Sequence, residues 1–158
     1  MNSGTELAST IFQNLLDTKP TRVKLGHGSF ITMDFGCDIS ETYNTRSGPK
    51  TRHFGEWHLW IYMCAWRIDK GRVPVAGCED SREKIEASLS ELSIRKLNKI
   101  EILNNAFDVA FIFEDDMELH LFSFYTKEKE QWMLFTPENK TFTAGPGCEW
   151  SYHDSDKA

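Results

Sequence analysis

Residues that could bind a metal ion or exchange protons recur at every second position in the C-terminal third of the chain. They are Asp116, Glu118 and His120, which would share one face of a strand because strand side chains alternate between faces. Two carboxylates and an imidazole can hold a divalent metal ion or serve as general acid and base. The residues between them are apolar, so the alternative is the solvated side of an amphipathic strand.

A second candidate site consists of ring-bearing side chains at alternate positions of an apolar stretch. His58, Trp60, Tyr62 and Trp66, with Cys64 before the last, would line one face of a single strand. Such rings can form a ligand pocket in which the Trp N–H and Tyr O–H groups orient the ligand. The alternative is that these side chains belong to the core and satisfy their polar groups locally.

The strand that would position these rings runs from residue 54 to residue 69, with the sequence FGEWHLWIYMCAWRID. Both of its alternating faces are apolar, which predicts a central strand covered on both sides. After a capping sequence at residues 80–83, Ile85, Leu89 and Leu92 fall on one face of a helix. We expect this helix to cover one face of the sheet, which would explain why the central strand has no polar side.

The rest of the chain predicts a second helix and several antiparallel hairpins. Apolar residues at helical spacing predict a helix over residues 6–16, and strands at residues 23–25 and 30–35 form a hairpin with glycine at its turn. The polar segment at residues 37–52 predicts a long flexible loop. From residue 99 onward, short apolar runs separated by turn residues predict an antiparallel meander.

The fold class predicted from these elements is α+β, with a single domain over residues 1–158. We expect a mainly antiparallel β-sheet of about seven or eight strands with two helices, one N-terminal and one central. A chain of 158 residues of which 40% are apolar can bury a core of this kind. Residues 1–4 and 155–158 are expected to fray.

Charge is distributed unevenly along the chain. Residues 1–100 contain 14 Lys and Arg against 12 Asp and Glu, whereas residues 101–158 contain 4 against 12, a net charge of −8. An acidic surface attracts basic proteins and disfavours nucleic acid as a partner. The candidate contact residues form an acidic turn consisting of Glu114, Asp115, Asp116 and Glu118. The alternative is that these acids only keep a β-rich protein in solution.

Several function classes lack their usual sequence support. The chain has no nucleophile elbow, zinc-protease pair, Walker loop or dinucleotide fingerprint, so neither an enzyme class nor a cofactor is indicated. Four irregularly spaced cysteines argue against structural zinc and favour reduced thiols. The opening residues do not resemble an export signal and no stretch is long enough to span a bilayer, so we expect a cytoplasmic protein that does not contact membranes.

Three features together suggest a family. They are the aromatic strand at residues 57–66, the paired strands at residues 117–124 and 131–135, and the turn Glu114-Asp115-Asp116. With these features and its short length, the chain resembles the bacterial immunity proteins of polymorphic toxin systems. The resemblance implies a protein that binds and blocks one cognate toxin. Such a toxin is often a basic nuclease, whose substrate cleft an acidic surface could occupy.

The leading hypothesis is therefore a noncatalytic protein-binding module of the immunity-inhibitor type, which blocks a basic partner protein through its acidic turn. The alternative is a small-molecule or metal-binding module that uses the aromatic pocket or the face formed by Asp116, Glu118 and His120. A third hypothesis is a homodimer in which a second copy covers part of the apolar strand.

Overall fold

The computed structural model of the protein describes residues 2–155 and has two antiparallel sheets and two α-helices. The elements are α1 (Ser3–Phe12), β1 (Arg22–Leu25), β2 (Ile31–Thr45), β3 (Gly48–Ile61), β4 (Ala65–Lys70), β5 (Val73–Gly77), α2 (Arg82–Ser93), β6 (Leu97–Ile102), β7 (Val109–Phe113), β8 (Met117–Phe122), β9 (Trp132–Phe135), β10 (Lys140–Ala144) and β11 (Trp150–Asp154). Short 3-10 helices lie at Gln13–Leu15 and Glu114–Asp116. The predicted α+β class with mainly antiparallel sheet is confirmed, with eleven strands among the described residues rather than seven or eight.

The two sheets follow the chain order closely. One has six strands in the order β1-β2-β3-β9-β10-β11, and the other has five in the order β5-β4-β8-β7-β6. The meander predicted from residue 99 onward is present as β6, β7 and β8 in one sheet and β9, β10 and β11 in the other. Each sheet turns one face toward a shared hydrophobic core.

Helix α1 helps to join the two sheets. Its Phe12 ring packs against Phe111 of the five-stranded sheet and Trp132 of the six-stranded sheet, with ring centroids 5.6 and 5.2 Å apart. The helix begins at Ser3 because Asn2 caps it, its side chain accepting a hydrogen bond from the Thr5 N–H at 2.9 Å. The helix therefore begins three residues earlier than predicted. The spacing of the apolar residues indicated only its later part, because the first turn depends on the cap.

The chain ends that we expected to fray are held where they are described. Ser3 and Gly4 lie in α1, and Gly4 faces the Trp150 indole at close range. The Ser155 N–H donates to the Asn139 carbonyl at 2.9 Å, so the segment after β11 is tied to the turn before β10. Residue 1 and residues 156–158 of the same prediction lie outside the described residues.

The predicted central strand at residues 54–69 is in fact two strands in different sheets. Strand β3 ends at Ile61 and β4 begins at Ala65. In β3 the buried apolar side chains are at odd positions, Leu59 and Ile61, whereas in β4 they are at even positions, Trp66 and Ile68. The apparent apolar character of both faces is therefore a shift of one residue in the alternation, because each strand turns only one face toward the apolar core.

This shift removes the need for a helix over the central strand. Helix α2 begins after Ser81, whose Oγ accepts from the Lys84 N–H at 3.3 Å, and it packs against β1 and β5 instead. The outer face of β3, which carries His58 and Trp60, is left half-buried. Helix α2 therefore packs on the sheets, as expected, but mainly on β1 and β5, and it does not account for the lack of a polar side at residues 54–69.

The predicted loop at residues 37–52 is instead the outer part of a long hairpin formed by β2 and β3. We call residues 36–55 the arm. Strand β1 pairs with β2 only through Ile31–Asp34, and β9 pairs with β3 only through His58–Ile61, so the arm has two strands. Most arm residues are exposed, which explains why the sequence there is polar and reads as a loop.

Candidate functional site

An open cleft lies between the arm and the turn that joins β9 to β10, with a volume of about 650 Å³. One wall is a stripe on β3, where side chains at every second position share a face. The stripe consists of Arg52, Phe54, Glu56, His58 and Trp60. The opposite wall is formed by Phe135, Thr136, Pro137, Asn139 and Ser155. The cleft is thus a feature of the outer face of the six-stranded sheet.

The base of the cleft contains an ion-pair network built around Asp34. This carboxylate is 3% exposed and lies directly opposite His58, whose Nδ1 is bonded to it. Its second oxygen accepts from Arg22 at 3.1 Å, and the same guanidinium reaches Asp38 at 3.1 Å. Burial alone would raise the pKa of Asp34, but the hydrogen bond and charge of His58, the Gly55 N–H and Arg22 together lower it below its ordinary value.

One side of the arm is polar. The other, which we call the apolar side, carries Ile39, Tyr43 and Phe54 together with the ion pair of Arg52 and Glu41. On the apolar side the Arg52 guanidinium lies 5.7 Å from the centres of both the Tyr43 and Phe54 rings and donates to Glu41 at 2.9 and 2.6 Å. Ile39 is on the same side, and it and Tyr43 are 39% and 44% exposed. This side faces the cleft, which Ile39, Glu41, Arg52 and Phe54 help to line.

The pocket predicted from the aromatic stretch is only partly assembled. His58 and Trp60 line the cleft, and Tyr62 packs beside Trp60 with ring centroids 4.7 Å apart. Trp66 is not part of it, because it lies beyond the break between β3 and β4 and points into the core at 2% exposure. Its Nε1–H donates to the Ser29 carbonyl at 2.8 Å. The inclusion of Trp66 is therefore corrected, and the cause is the shifted alternation.

The predicted group of Asp116, Glu118 and His120 also changes membership. Asp116 belongs to the 3-10 turn before β8, with a φ of 59°, and not to the strand. Its place is taken by Asp69 of β4, which is directly opposite Glu118 in the antiparallel register. Single ligand atoms of Asp69, Glu118 and His120 lie within 4.8 Å of one another. Sequence periodicity could not identify Asp69, because cross-strand register is not encoded in one strand.

The carboxylates of this cluster already have partners within the protein. Arg67 donates from Nε to Asp69 Oδ1 at 2.8 Å and from its terminal nitrogen to Oδ2 at 3.1 Å. Hydrogen bonding to the Asp69 side chain is the largest cause of an Arg67 pKa above its ordinary value. His120 Nε2 lies 2.8 Å from Glu118 and 3.4 Å from Asp69. A divalent ion could use three donors here, one from each residue, but Arg67 is bonded to both oxygens of Asp69 and competes for that carboxylate.

The acidic turn is also engaged within the protein. Glu114 accepts a hydrogen bond from the Lys96 N–H at 2.6 Å, and Asp115 pairs with Arg95 at 3.1 Å. Glu118 is bonded to His120 as described above. Asp115 is the most open of these paired carboxylates, with 70% of its side chain exposed. Much of the negative charge that suggested a contact surface therefore has an internal partner.

Comparisons with known proteins give no assignment: neither a protein-family model, nor a curated protein, nor a solved structure matches the chain. A membrane-spanning helix is not found either, since neither helix in residues 2–155 has the length and apolar character needed to cross a bilayer. The features of the protein that bear on its function are therefore the cleft, the arm, the Asp34 network and the cluster of Asp69, Glu118 and His120.

Proposed function

We propose that the protein is a noncatalytic protein-binding module whose contact surface is the cleft together with the apolar side of the arm. The observation that carries this proposal is the arm itself, which extends beyond the rest of the sheet as two strands. A two-stranded hairpin on its own is marginally stable in water. A partner that packs on its apolar side would supply the second layer that the arm lacks.

The side chains on this surface are suited to a protein interface. Tyr43, Phe54 and Trp60 are aromatic, Arg52 is held between two of those rings, and charged groups lie around them. Aromatic residues and Arg supply most of the binding energy in protein interfaces, and a polar rim surrounds them. Arg52 is already oriented by Glu41, so little side-chain entropy would be lost when a partner packs against it.

Most carboxylates of the acidic turn are bonded within the protein, so we do not place the proposed contact surface there. Glu114, Asp115 and Glu118 each contact a group of their own chain, and breaking those contacts would offset what a basic partner supplied. A module that blocks a toxin is one form of the proposed function. Identification of the partner decides whether it belongs to that class.

The test is affinity capture from native lysate with three matched variants. Ile39→Ser/Phe54→Ser changes the cleft side of the arm, Thr42→Ala/Thr51→Ala changes its opposite side, and Asp115→Asn/Asp116→Asn neutralises the acidic turn. We expect wild type, the opposite-side variant and the turn variant to retain one stoichiometric protein that the cleft variant loses. Circular dichroism of each variant controls for folding.

Two results would contradict the proposal. Retention of the partner by the cleft variant would remove the cleft and arm as the contact surface. Loss of the partner from the turn variant, together with strong salt sensitivity, would return the contact to the acidic turn.

A second candidate function is small-molecule binding in the same cleft. The supporting observation is the His58 ring, which is oriented by Asp34 in a space of about 650 Å³, within the usual size of ligand sites. A thermal-shift screen with nucleotides, sugars and amino acids tests it, because a ligand of the folded state raises the midpoint in proportion to its concentration. A rise that His58→Gln abolishes would favour this candidate, and flat curves would count against it.

A further inference from the structure

We infer that an extended segment of the partner adds as a new strand to the edge of β3 that borders the cleft. This inference rests on the proposed function, and it specifies how the partner is held. This edge is formed by residues 51–57. The new strand would lie on the same side of β3 as β9, which pairs only with residues 58–61.

The geometry of β9 creates this edge. Its four residues, Trp132–Phe135, pair with Ile61 through His58, after which the chain turns at residues 136–139 and returns as β10. Within the part of the chain that the structure describes, no strand pairs with β3 on this side between its tip and Trp57. Seven residues of strand span about 23 Å, enough for an added strand of the usual five or six residues.

Among the described residues, no turn or loop donates to or accepts from the backbone of residues 51–57. Natural edge strands are commonly blocked by proline and lysine, and here Pro49 and Lys50 occupy the end near the tip. Residues 51–57 contain neither. The other edge of the arm, on β2, is occupied at its base, where the Gly36 carbonyl accepts from Thr21 Oγ1 at 2.7 Å.

The neighbouring side chains define the chemistry of the added segment. Because strand side chains alternate, every second residue of the segment would lie in the cleft beside Phe54, across from Phe135 and Pro137 of the opposite wall, which favours apolar side chains there. At the end nearest the tip, Arg46 and Lys50 are exposed, and neither has an ion-pair partner among the described residues. The occupant is therefore an extended peptide segment of another protein, with alternate apolar residues and a carboxylate at the end that lies beside the tip.

The first experiment selects such segments directly. A displayed library of random twelve-residue peptides is selected on the wild-type protein, and peptides that also bind the Ile39→Ser/Phe54→Ser variant are discarded. We expect enrichment of sequences that alternate apolar and polar residues and carry Asp or Glu near one end. An enriched peptide is then synthesised together with analogues methylated at each backbone nitrogen in turn. Strand addition predicts that methylation at every second nitrogen weakens binding at least tenfold and that the intervening analogues bind nearly normally.

The charge contribution is tested with the same peptide. Arg46→Glu/Lys50→Glu should weaken binding several-fold and reduce its salt dependence. The control is Lys19→Glu/Lys24→Glu, which makes the same change in net charge at two exposed lysines, one just before β1 and one within it, and should have little effect. Equal effects of the two variants would show that only net charge matters and would overturn the assignment of a carboxylate to the tip.

Other outcomes separate this inference from the function on which it rests. If methylation gives no period of two, or if no arm-dependent peptide is enriched while a captured partner still requires the cleft, strand addition is wrong and the proposed function stands. If neither peptide nor captured partner depends on the cleft, the proposed function itself fails. A dimer in light scattering that Ile39→Ser/Phe54→Ser converts to monomer would assign the edge to a second copy and overturn a heterologous segment.

Discussion

The imidazole of His58 donates from Nδ1 to the carboxylate of Asp34, its direct neighbour across the β2–β3 pair. Asp34 is almost fully buried, whereas His58 lines the cleft. The hydrogen bond therefore connects the buried part of the six-stranded sheet to the surface proposed to contact the partner. It also fixes the ring where the arm departs from the sheet, so a change at Asp34 should affect both stability and the cleft.

The Asp34→Asn variant should be less stable than wild type, by an amount that depends on pH. The folded-state pKa of Asp34 is lowered, so its contribution is fully present above the ordinary value of about 3.9 and is lost as pH falls through the lower folded value. We expect a loss of about 2–3 kcal/mol in the free energy of unfolding at neutral pH, since a buried carboxylate loses charged partners. Urea unfolding of both proteins across the acid range measures it. If the difference in the free energy of unfolding between the two proteins did not shrink below about pH 3, the lowered pKa of Asp34 would be contradicted.

Separate substitutions of two tryptophans test which of them belongs to the core and which to the cleft. Trp66→Phe removes the Nε1–H bonded to Ser29 and leaves space in the core, so we expect a loss of about 2–3 kcal/mol in the free energy of unfolding. Trp60→Phe changes a half-buried ring on the cleft and should cost less than about 1 kcal/mol. Chemical denaturation of the pair measures the difference. Equal costs would mean that Trp60 belongs to the core as well.

Local signals in the sequence were sufficient for much of the fold. The start of α2 could be located from its capping residues and its buried face from Ile85, Leu89 and Leu92, because both depend on residues within a few positions of each other. The break between β3 and β4 could not be located in the same way. No glycine or proline marks residues 62–64, and the shifted alternation resembles one strand with two apolar faces. The direction of a strand after such a shift is decided by tertiary packing.

The candidate site was predictable to a smaller extent. His58 and Trp60 were identified because they share a period of two along one strand. Asp69 was missed because its closeness to Glu118 depends on the register between β4 and β8, which are separated by some fifty residues of chain. The arm was missed for a different reason. Its strands are exposed on both sides, and polar exposed strands lack the apolar alternation on which strand prediction depends.

The Arg67→Ala variant should acquire an affinity for divalent metal ions that the wild type lacks or shows only weakly. Removal of the Arg67 guanidinium frees both oxygens of Asp69 from it. The two carboxylates and His120 then lie close together without a competing cation. We expect Zn²⁺ or Mn²⁺ to raise the unfolding midpoint of this variant more than that of wild type. Adding Glu118→Gln to the variant should abolish the gain. An equal rise in wild type would show that Arg67 does not compete with the metal.

Alkylation should distinguish the four cysteines. Burial, together with the nearby Cys78 and Asp108, raises the pKa of the Cys64 thiol to about 12, so little thiolate forms near neutral pH. Cys37 and Cys148 are exposed. Brief treatment of the native protein with iodoacetamide should modify Cys37 and Cys148 and spare Cys64, as read by peptide mass spectrometry. The unfolded protein, in which all four should react, is the control. Native modification of Cys64 at the rate of Cys37 would show that the core opens there.

Substitution of two glycines tests how the arm is joined to the sheet. Gly36 lies in the bulge at the base of the arm with a φ of 79°, and a Cβ there would meet the Glu56 side chain. Gly48 near the tip has a φ of 111° and open space around it, so Gly48→Ala is a matched control for backbone strain alone. We expect losses of about 1–2 kcal/mol for Gly48→Ala and about 2–3 kcal/mol for Gly36→Ala in the free energy of unfolding.

A double-mutant cycle with Glu56→Ala then isolates the contact at the base of the arm. Glu56 also accepts from the Cys37 N–H at 3.3 Å, so the single Glu56→Ala variant is needed to account for that bond. If the clash at Gly36 is the added cost, Gly36→Ala/Glu56→Ala should recover about 1 kcal/mol relative to the sum of the single variants. Strict additivity would mean that the bulge needs glycine only for its backbone conformation, and that Glu56 does not fix the direction in which the arm leaves the sheet.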